Sequence, residues 1–349
     1  MANKKYDMDI SQTNLSLLRE LIEKPAQKMV ILSHTNPDGD AVGSSLAWAE
    51  ALRNVGHSVT CIVPNKYPYY LDWMTGIRDI VIFKNDTEGC AEKAVAEADI
   101  IFCLDFHSLS RLDALGDMIA ANTTAKRVLI DHHLNPSEAF DVMFSYPEAS
   151  STSYLVYKLI EALWGAESVT AKQAEVMYVG MMTDTGNFSF STLTPDLYRA
   201  LAVLAGTGID IPQIHNNVYN SFTEGRARLF GYAINRKMKL LRKGTVAHMS
   251  LTEDEMRRFW FQQGDSEGFV NYPLTIKKMR MSAMFTEHKD FIRVSLRSRG
   301  AVDVNTFAAR YFEGGGHHNA AGGKSYVSMA ETIARFEAAV EEYAKEGLL

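Results

Sequence analysis

VILSHTNPDGDAVGSSLAWAE, residues Val30 to Glu50, carries an apolar run, a turn and a helix in one stretch. The apolar run reads as a strand buried on both faces. Asn36-Pro37-Asp38-Gly39 is turn chemistry. Ala41, Gly43, Ser44 and Ser45 then open a helix whose small residues allow close approach to a neighbour. Strand, turn and helix begin a βα unit, and a sheet of such units is parallel. The turn also carries His34, Asp38 and Asp40, three groups that bind cations well. Gly39 lets the chain bend so that both aspartates face inward. The positive end of the helix dipole points at the same region.

Outward from this stretch the pattern repeats. Strand-like runs occupy 29–33, 58–63, 80–83, 100–104 and 127–130, with helical patterns at 41–55, 87–98 and 111–121. Further helical stretches span 151–164, 171–182 and 195–205. The expected fold is α/β, with a larger, mostly parallel sheet covered by helices on both faces. At "GTGIDIPQI" (Gly206–Ile214) two glycines and a proline interrupt it. A helix over 224–241 leads to "GTVAHMSL", "KKMRMSAMFTEH" and "DFIRVSLRS", the last two forming a hairpin around Lys289–Asp290, and a helix closes the chain over 329–346. This predicts a catalytic domain over 1–206, a linker over 207–225, and a smaller α/β domain with a mixed sheet over 226–349. The active-site cleft is expected between the two domains.

The 349 residues are 46% hydrophobic and 22% charged, enough apolar material for two cores. No run of about 18 apolar residues occurs, so no membrane span is expected. The N-terminus lacks the apolar stretch of a signal peptide. Cys61, Cys90 and Cys103 show no metal-site spacing and read as thiols of a reducing compartment, which places the protein in the cytoplasm. The net charge of −6 argues against a protein coating long nucleic acid.

Ligands of open α/β sheets bind beyond the carboxyl ends of the strands. Three strand ends carry chemistry: "SHTNPDGDAVGS", "CLDFHS" with Asp105 and His107, and "LIDHHLNP" with Asp131, His132 and His133. Asp184 in "MMTDTGNFSF" follows a helix. Each alone has an ordinary reading as an Asx-turn, a helix cap or a surface His pair. Together they place His34, Asp38, Asp40, Asp105, His132 and Asp184 at one sheet edge. Four carboxylates crowded there repel unless cations sit between them, and two divalent ions neutralise them. One carboxylate can bridge both ions. Oxygen-rich ligation with some imidazole and no thiolate suits two Mn²⁺, with Mg²⁺ second.

The second half carries phosphate chemistry. "FEGGGHHNAAGG" (Phe312–Gly323) contains a glycine triplet, two histidines and a helix-like "NAA". Glycine-rich backbone can turn N–H groups toward an anion, although a plain turn between helix and strand explains the segment equally well. Arg297 and Arg299 alternate, which on a strand puts both on one face. Phe269 and Tyr272 are aromatics that can stack on a base; core packing is the commoner role for either.

"NPDGDAVGS", "LIDHH" and "GGGHHNAAG", in this order, resemble the DHH phosphoesterase superfamily, and more narrowly its stand-alone oligoribonuclease and phosphoadenosine-phosphate phosphatase branch. The resemblance covers about residues 15–345. It implies a DHH domain joined to a DHH-associated domain, with two Mn²⁺ in the first. His34, Asp38 and Asp105 would hold one ion; Asp40, Asp105, His132 and Asp184 the other, with Asp105 bridging. His133 would face the scissile phosphate and Asp131 would orient the histidines. Arg297, Gly315, Gly316, His317 and His318 match the substrate-binding motif, with Arg299 and Phe269 as further contacts. Glu313 departs from a glycine common in relatives. The expected activity is hydrolysis of short oligoribonucleotides or 3′-phosphoadenosine 5′-phosphate by a hydroxide activated between two metals. The alternatives are a cyclic di-AMP or pApA phosphodiesterase and a non-catalytic nucleotide sensor. The expected partner is a small nucleotide, not a long nucleic acid or a membrane; a homodimer is compatible with this.

Overall fold

The computed structural model describes residues 8–24, 26–189 and 193–349. Residues 1–7, part of the stretch inspected for a signal peptide, lie outside the described residues. So does Phe190 at the end of the Asp184 motif. The chain divides into two compact units, Met1–Ser221 and Phe222–Leu349.

The first unit holds β1 (Lys28–Leu32), β2 (Ser58–Val63), β3 (Val81–Ile82), β4 (Ile100–Leu104), β5 (Lys126–Asp131) and β6 (Val142–Ser145). All pair in parallel, in the order β3-β2-β1-β4-β5-β6. Its helices are α1 (Gln12–Ile22), α2 (Gly39–Asn54), α3 (Cys90–Ala96), α4 (Ala114–Ala121), α5 (Thr152–Trp164), α6 (Ala171–Asp184), α7 (Pro195–Gly206) and α8 (Ile211–Tyr219). The β1 side chains alternate between two covered faces. Val30 and Leu32 pack with Ala91 and Val95 of α3 and Leu115 and Ile119 of α4. On the opposite face Trp48 of α2 meets Phe102 edge-on, with ring centroids 5.6 Å apart. Chain order reverses between β1 and β4, and the crevice at such a switch point is where ligands bind in these sheets.

Gly43 lets α2 and α6 touch: a Cβ there would run into the Val176 carbonyl. Between β5 and β6 no helix intervenes. Residues 132–141 alone make the crossover, and His132 and His133 are its first two residues.

The second unit carries β7 (Lys239–Leu241), β8 (Val246–Leu251), β9 (Met281–His288), β10 (Phe291–Ser298), β11 (Gly315–His317) and β12 (Ala320–Ser325). They form a mixed sheet in the order β11-β12-β10-β9-β8-β7, with β8 and β9 parallel and the other pairs antiparallel. Its helices are α9 (Glu224–Tyr232), α10 (Glu253–Arg258), α11 (Val304–Phe312) and α12 (Met329–Lys345). The amphipathic α12 lays Phe336, Val340 and Tyr343 on Met281, Phe285 and Val294.

Three expectations change. The helix expected over 224–241 ends earlier, and Lys239–Leu241 pair with β8 as an edge strand. The "NAA" of the glycine segment forms the end of a turn and the start of β12 rather than a helix, because the flanking glycines let backbones meet: a Cβ on Gly314 would strike the Gly322 carbonyl. Within 207–225, expected as linker, Asp210 caps α8 and Pro212 lies in its first turn. No helix among the described residues is long and apolar enough to cross a membrane.

Glu255 ties α9 to α10. It accepts hydrogen bonds from Tyr232 Oη at 2.6 Å, Lys237 Nζ at 2.7 Å and Thr252 N at 2.9 Å. Burial works against its charge, but these donors hold its pKa down at about 2. A depressed carboxylate gives stability present above its unfolded pKa of 4.5 and lost as pH falls toward 2. The displacement corresponds to roughly 3 kcal/mol, of which partial exposure leaves on the order of 2. Glu255→Gln is expected to cost that amount at pH 7 and much less at pH 3, read by urea unfolding of the full chain.

Candidate metal centre and substrate groups

Each side chain expected at the metal site is placed by the end of an element. Asp38 caps α2, its Oδ1 accepting from Asp40 N at 3.0 Å and Ala41 N at 3.1 Å. Asp105 follows β4 with φ +65°, a left-handed conformation that aspartate tolerates better than most residues. His132 follows β5, and Asp184 is the last residue of α6. The α5 N-terminus closes the group from behind. Thr152 N and Ser153 N donate to the two Asp40 oxygens at 2.6 and 2.8 Å, and Thr152 Oγ1 donates to Asp105 Oδ1 at 3.0 Å.

The ligand atoms include two triads, His34–Asp38–Asp105 and Asp40–His132–Asp184, and Asp105 also comes within reach of Asp131 and His133. Asp105 faces both triads. Its Oδ2 is 3.4 Å from His34 Nε2, and its Oδ1 is 3.5 Å from His132 Nε2. His132 Nε2 also lies 3.4 Å from Asp184 Oδ2 and 4.0 Å from Asp40 Oδ2. The outer ring nitrogens contact main-chain carbonyls: His34 Nδ1 reaches Thr35 O at 2.9 Å and His132 Nδ1 reaches Ala149 O at 3.2 Å. With the proton on Nδ1, each Nε2 turns a lone pair toward carboxylate oxygens. Lone pairs facing carboxylates at 3.4–4.0 Å are repulsive without positive charge between them. This donor set therefore fits divalent cations.

The proton affinities carry the same signature. Burial, then the charges of Asp105 and Asp184, push Asp40 well above the usual carboxylate range. Burial pushes Asp184 up to about 6, against the pull of His132. Burial opposes the charged form of Asp105, yet bonding to His132 and His34 holds its carboxyl well below that range. Burial likewise opposes a charged His132, but Asp184, Asp105 and Asp40 keep its proton affinity well above the ordinary histidine value.

His133 takes a different position. Its Nδ1 is 2.8 Å from Asp131 Oδ1, and Asp131 is fully buried at the end of β5. The carboxylate thus fixes the ring rather than joining either triad of the centre.

The signal missed in the sequence is the "SSTS" run, where Ser151 caps α5 and presents its N–H groups to Asp40. Gly180 was likewise unread. A Cβ there would overlap Ser153 Oγ and come within 2.8 Å of Asp40 Oδ1. Gly180→Ala is expected to cost about 1–3 kcal/mol and to displace Asp40. Urea unfolding and the divalent-ion dissociation constant both check it; unchanged metal affinity would contradict the close fit.

In the second unit Arg297, Ala320 and His317 are register partners across β10, β12 and β11. Paired residues share a face, so Arg297 and His317 flank a lane floored by alanine. Arg299 lies one residue beyond β10 and is exposed. Gly316 has φ +148° and a Cβ on it would strike the Ala320 carbonyl; its N–H donates to Asn305 Oδ1 at 2.8 Å. Gly315 lies beside it on β11, and His318 Nε2 is 3.3 Å from Gly300 O. Glu313 sits at φ +47° after α11, which explains why glycine suits that position. Phe269 does not serve as expected. It is 1% exposed and packs against Phe230 with centroids 4.9 Å apart, so burial of its ring outweighs stacking on a ligand. The exposed aromatic of that segment is Tyr272.

The chain matches the family model of the DHH family, N-terminal domain, over residues 28–181 and that of the DHHA1 domain over residues 246–346. A crystal structure of an exopolyphosphatase-related protein from Bacteroides fragilis is 41% identical, with TM-score 0.90, covering 97% of this chain and 98% of that one. The bifunctional oligoribonuclease and PAP phosphatase NrnA of Thermus thermophilus is 27% identical over 96% of both chains. The protein of the same description from Bacillus subtilis is 26% identical over 85% of this chain and 89% of its own.

Proposed function

We infer the function from one premise: the chain belongs to the DHH family, carrying its N-terminal domain and a DHHA1 domain. On that premise it is a hydrolase of phosphoester bonds, and its substrates are short oligoribonucleotides and 3′-phosphoadenosine 5′-phosphate. The activities named for the NrnA relatives, matched over nearly their full lengths, support this choice. One observation carries the chemistry: Asp105 turns its two oxygens to two separate donor triads.

His34, Asp38 and Asp105 would hold one divalent cation, and Asp40, Asp105, His132 and Asp184 a second; Mn²⁺ suits the set best and Mg²⁺ next. When bound, the ions supply acidified water and positive charge at the phosphoryl oxygens. The protein groups do the rest. Asp131 holds His133 by Nδ1, which leaves Nε2 to donate to the scissile phosphate. The α5 N-terminus keeps Asp40 and Asp105 aimed. Arg297 and Arg299, with the Gly315–Gly316 backbone, His317 and His318, would bind the remaining phosphate. The net charge of −6 offers no track for a long strand. The free cysteines suit a reducing cytoplasm.

The test incubates the purified protein and Mn²⁺ with RNA of two to five nucleotides, 3′-phosphoadenosine 5′-phosphate, pApA and cyclic di-AMP. Turnover of the first two classes is expected, abolished by chelation. Cyclic di-AMP or pApA as the preferred substrate would shift the reading to a dinucleotide phosphodiesterase. Binding without turnover of any of them would make the protein a sensor.

A further inference from the structure

His107 stands on the loop after β4, and none of the roles above uses it. Its ring centroid is 5.9 Å from that of His133. Its Nδ1 is buried with no hydrogen-bond partner, while the residue as a whole stays half-buried. A buried polar atom without a partner costs stability, so packing alone favours an apolar residue here.

Arg111 follows on the same loop. It is exposed, and among the described residues its guanidinium makes no ion pair or hydrogen bond. It lies near enough to His34 and His107 for its charge to oppose protonation of both. A lone guanidinium beside a cation-binding cluster repels the cations. The arrangement becomes favourable once an anion binds there too.

The loop is rigid. Phe106 and Leu112 anchor it in the core. Thr35 N donates to the Arg111 carbonyl at 2.9 Å, and Ser137 N donates to the His107 carbonyl at 2.8 Å. These bonds tie it to the loops after β1 and β5. The turn at Leu109–Leu112 packs so closely on α4 that a Cβ on Gly116 would meet the Leu109 carbonyl. An imidazole beside His133 and a guanidinium near that imidazole and His34 are thus presented on a tied-down scaffold.

We propose that His107 and Arg111 form a phosphate-binding pair, supplied by the first unit itself, that grips a phosphate of the nucleotide substrate on the flank of His133. This rests on the reading of the protein as a nucleotide phosphoesterase. The pair adds contacts beyond Arg297 and the glycine strand, and it is absent from the ligand atoms of both triads.

Arg111→Gln and His107→Leu test it in the full-length protein. With 3′-phosphoadenosine 5′-phosphate and Mn²⁺, each variant is expected to raise KM about tenfold and leave kcat within about twofold. His107→Leu should melt at or above the wild-type temperature, because it removes an unpartnered buried nitrogen. Metal uptake by calorimetry should not weaken in either variant. Binding of the same nucleotide in Ca²⁺, measured by titration calorimetry, gives a second readout that needs no turnover. A tenfold loss of affinity in the variants supports the pair; wild-type affinity in both overturns it. A wild-type protein that binds but hydrolyses none of the panel overturns the phosphoesterase reading while the affinity comparison still decides the pair.

Discussion

Asp105→Ala is expected to lower Mn²⁺-dependent turnover by roughly a thousandfold or more, because the variant loses a carboxylate that belongs to one donor triad and faces the other. Oδ2 serves the His34 side and Oδ1 the His132 side, so its removal weakens both at once. Calorimetric titration should show fewer bound ions and weaker binding of those that remain. Alanine is also strained at φ +65°, so lost activity in this variant alone would mix two causes. Asp105→Asn separates them. Asparagine tolerates the left-handed region and keeps the shape of the side chain, yet it lacks the charge. The asparagine variant should still fold, melting somewhat below the wild type because the depressed carboxylate no longer contributes, and remain inactive. Near-normal activity in either would remove the basis for a shared ligand.

Chelated protein is expected to lose stability as pH rises from about 4 to about 6, and divalent ions should restore it. The sign follows from the carboxylates that burial and crowding push upward. Asp184 titrates at about 6 when folded against 3.8 unfolded. A raised folded pKa gives stability fully present below the unfolded value and lost as pH climbs through the folded one. The shift corresponds to roughly 3 kcal/mol; a side chain 27% exposed keeps on the order of 2. Asp40 adds in the same direction. His132, also raised, extends the decline above its unfolded 6.5. Asp105 is lowered and changes only below 3.8, outside this window. Urea unfolding in chelator at several pH values reads the slope, and Asp184→Asn should flatten it. Mn²⁺ at about 100 times its dissociation constant should add roughly 2.7 kcal/mol at neutral pH. A stability that climbs between pH 4 and 6 without metal would show that the carboxylates are not crowded.

The first unit was legible because its chemistry coincides with its punctuation. His34, Asp105 and His132 each lie within two residues of the end of an apolar run, so the strand that positions the group also announces it. The sheet order was not legible, since no local pattern says that β4 pairs with β1 across the reversal. β6 was missed because its four residues follow β5 without the helix that usually marks a parallel crossover. In the second unit, glycines obscured β11 and β12: a glycine strand has no side-chain alternation to read. Phe269 shows the limit of composition. A loop aromatic looks alike whether it faces a ligand or a core, and only the packing with Phe230 distinguishes them. Thr152 and Ser153 act through backbone N–H groups, which every residue owns, so no residue type advertises them.

The helix-free link from β5 to β6 makes chain length a tuning parameter. Parallel neighbours usually need about a dozen or more connecting residues; here 132–141 suffice, turning through a left-handed Asn135 and pinned where Ser137 N donates to the His107 carbonyl at 2.8 Å. Both histidines sit between the end of β5 and that pin. Deleting or inserting one residue between His133 and Ser137 would break that hydrogen bond or shift both rings against it. Insertions that surface loops elsewhere absorb quietly should therefore be unforgiving at this one place.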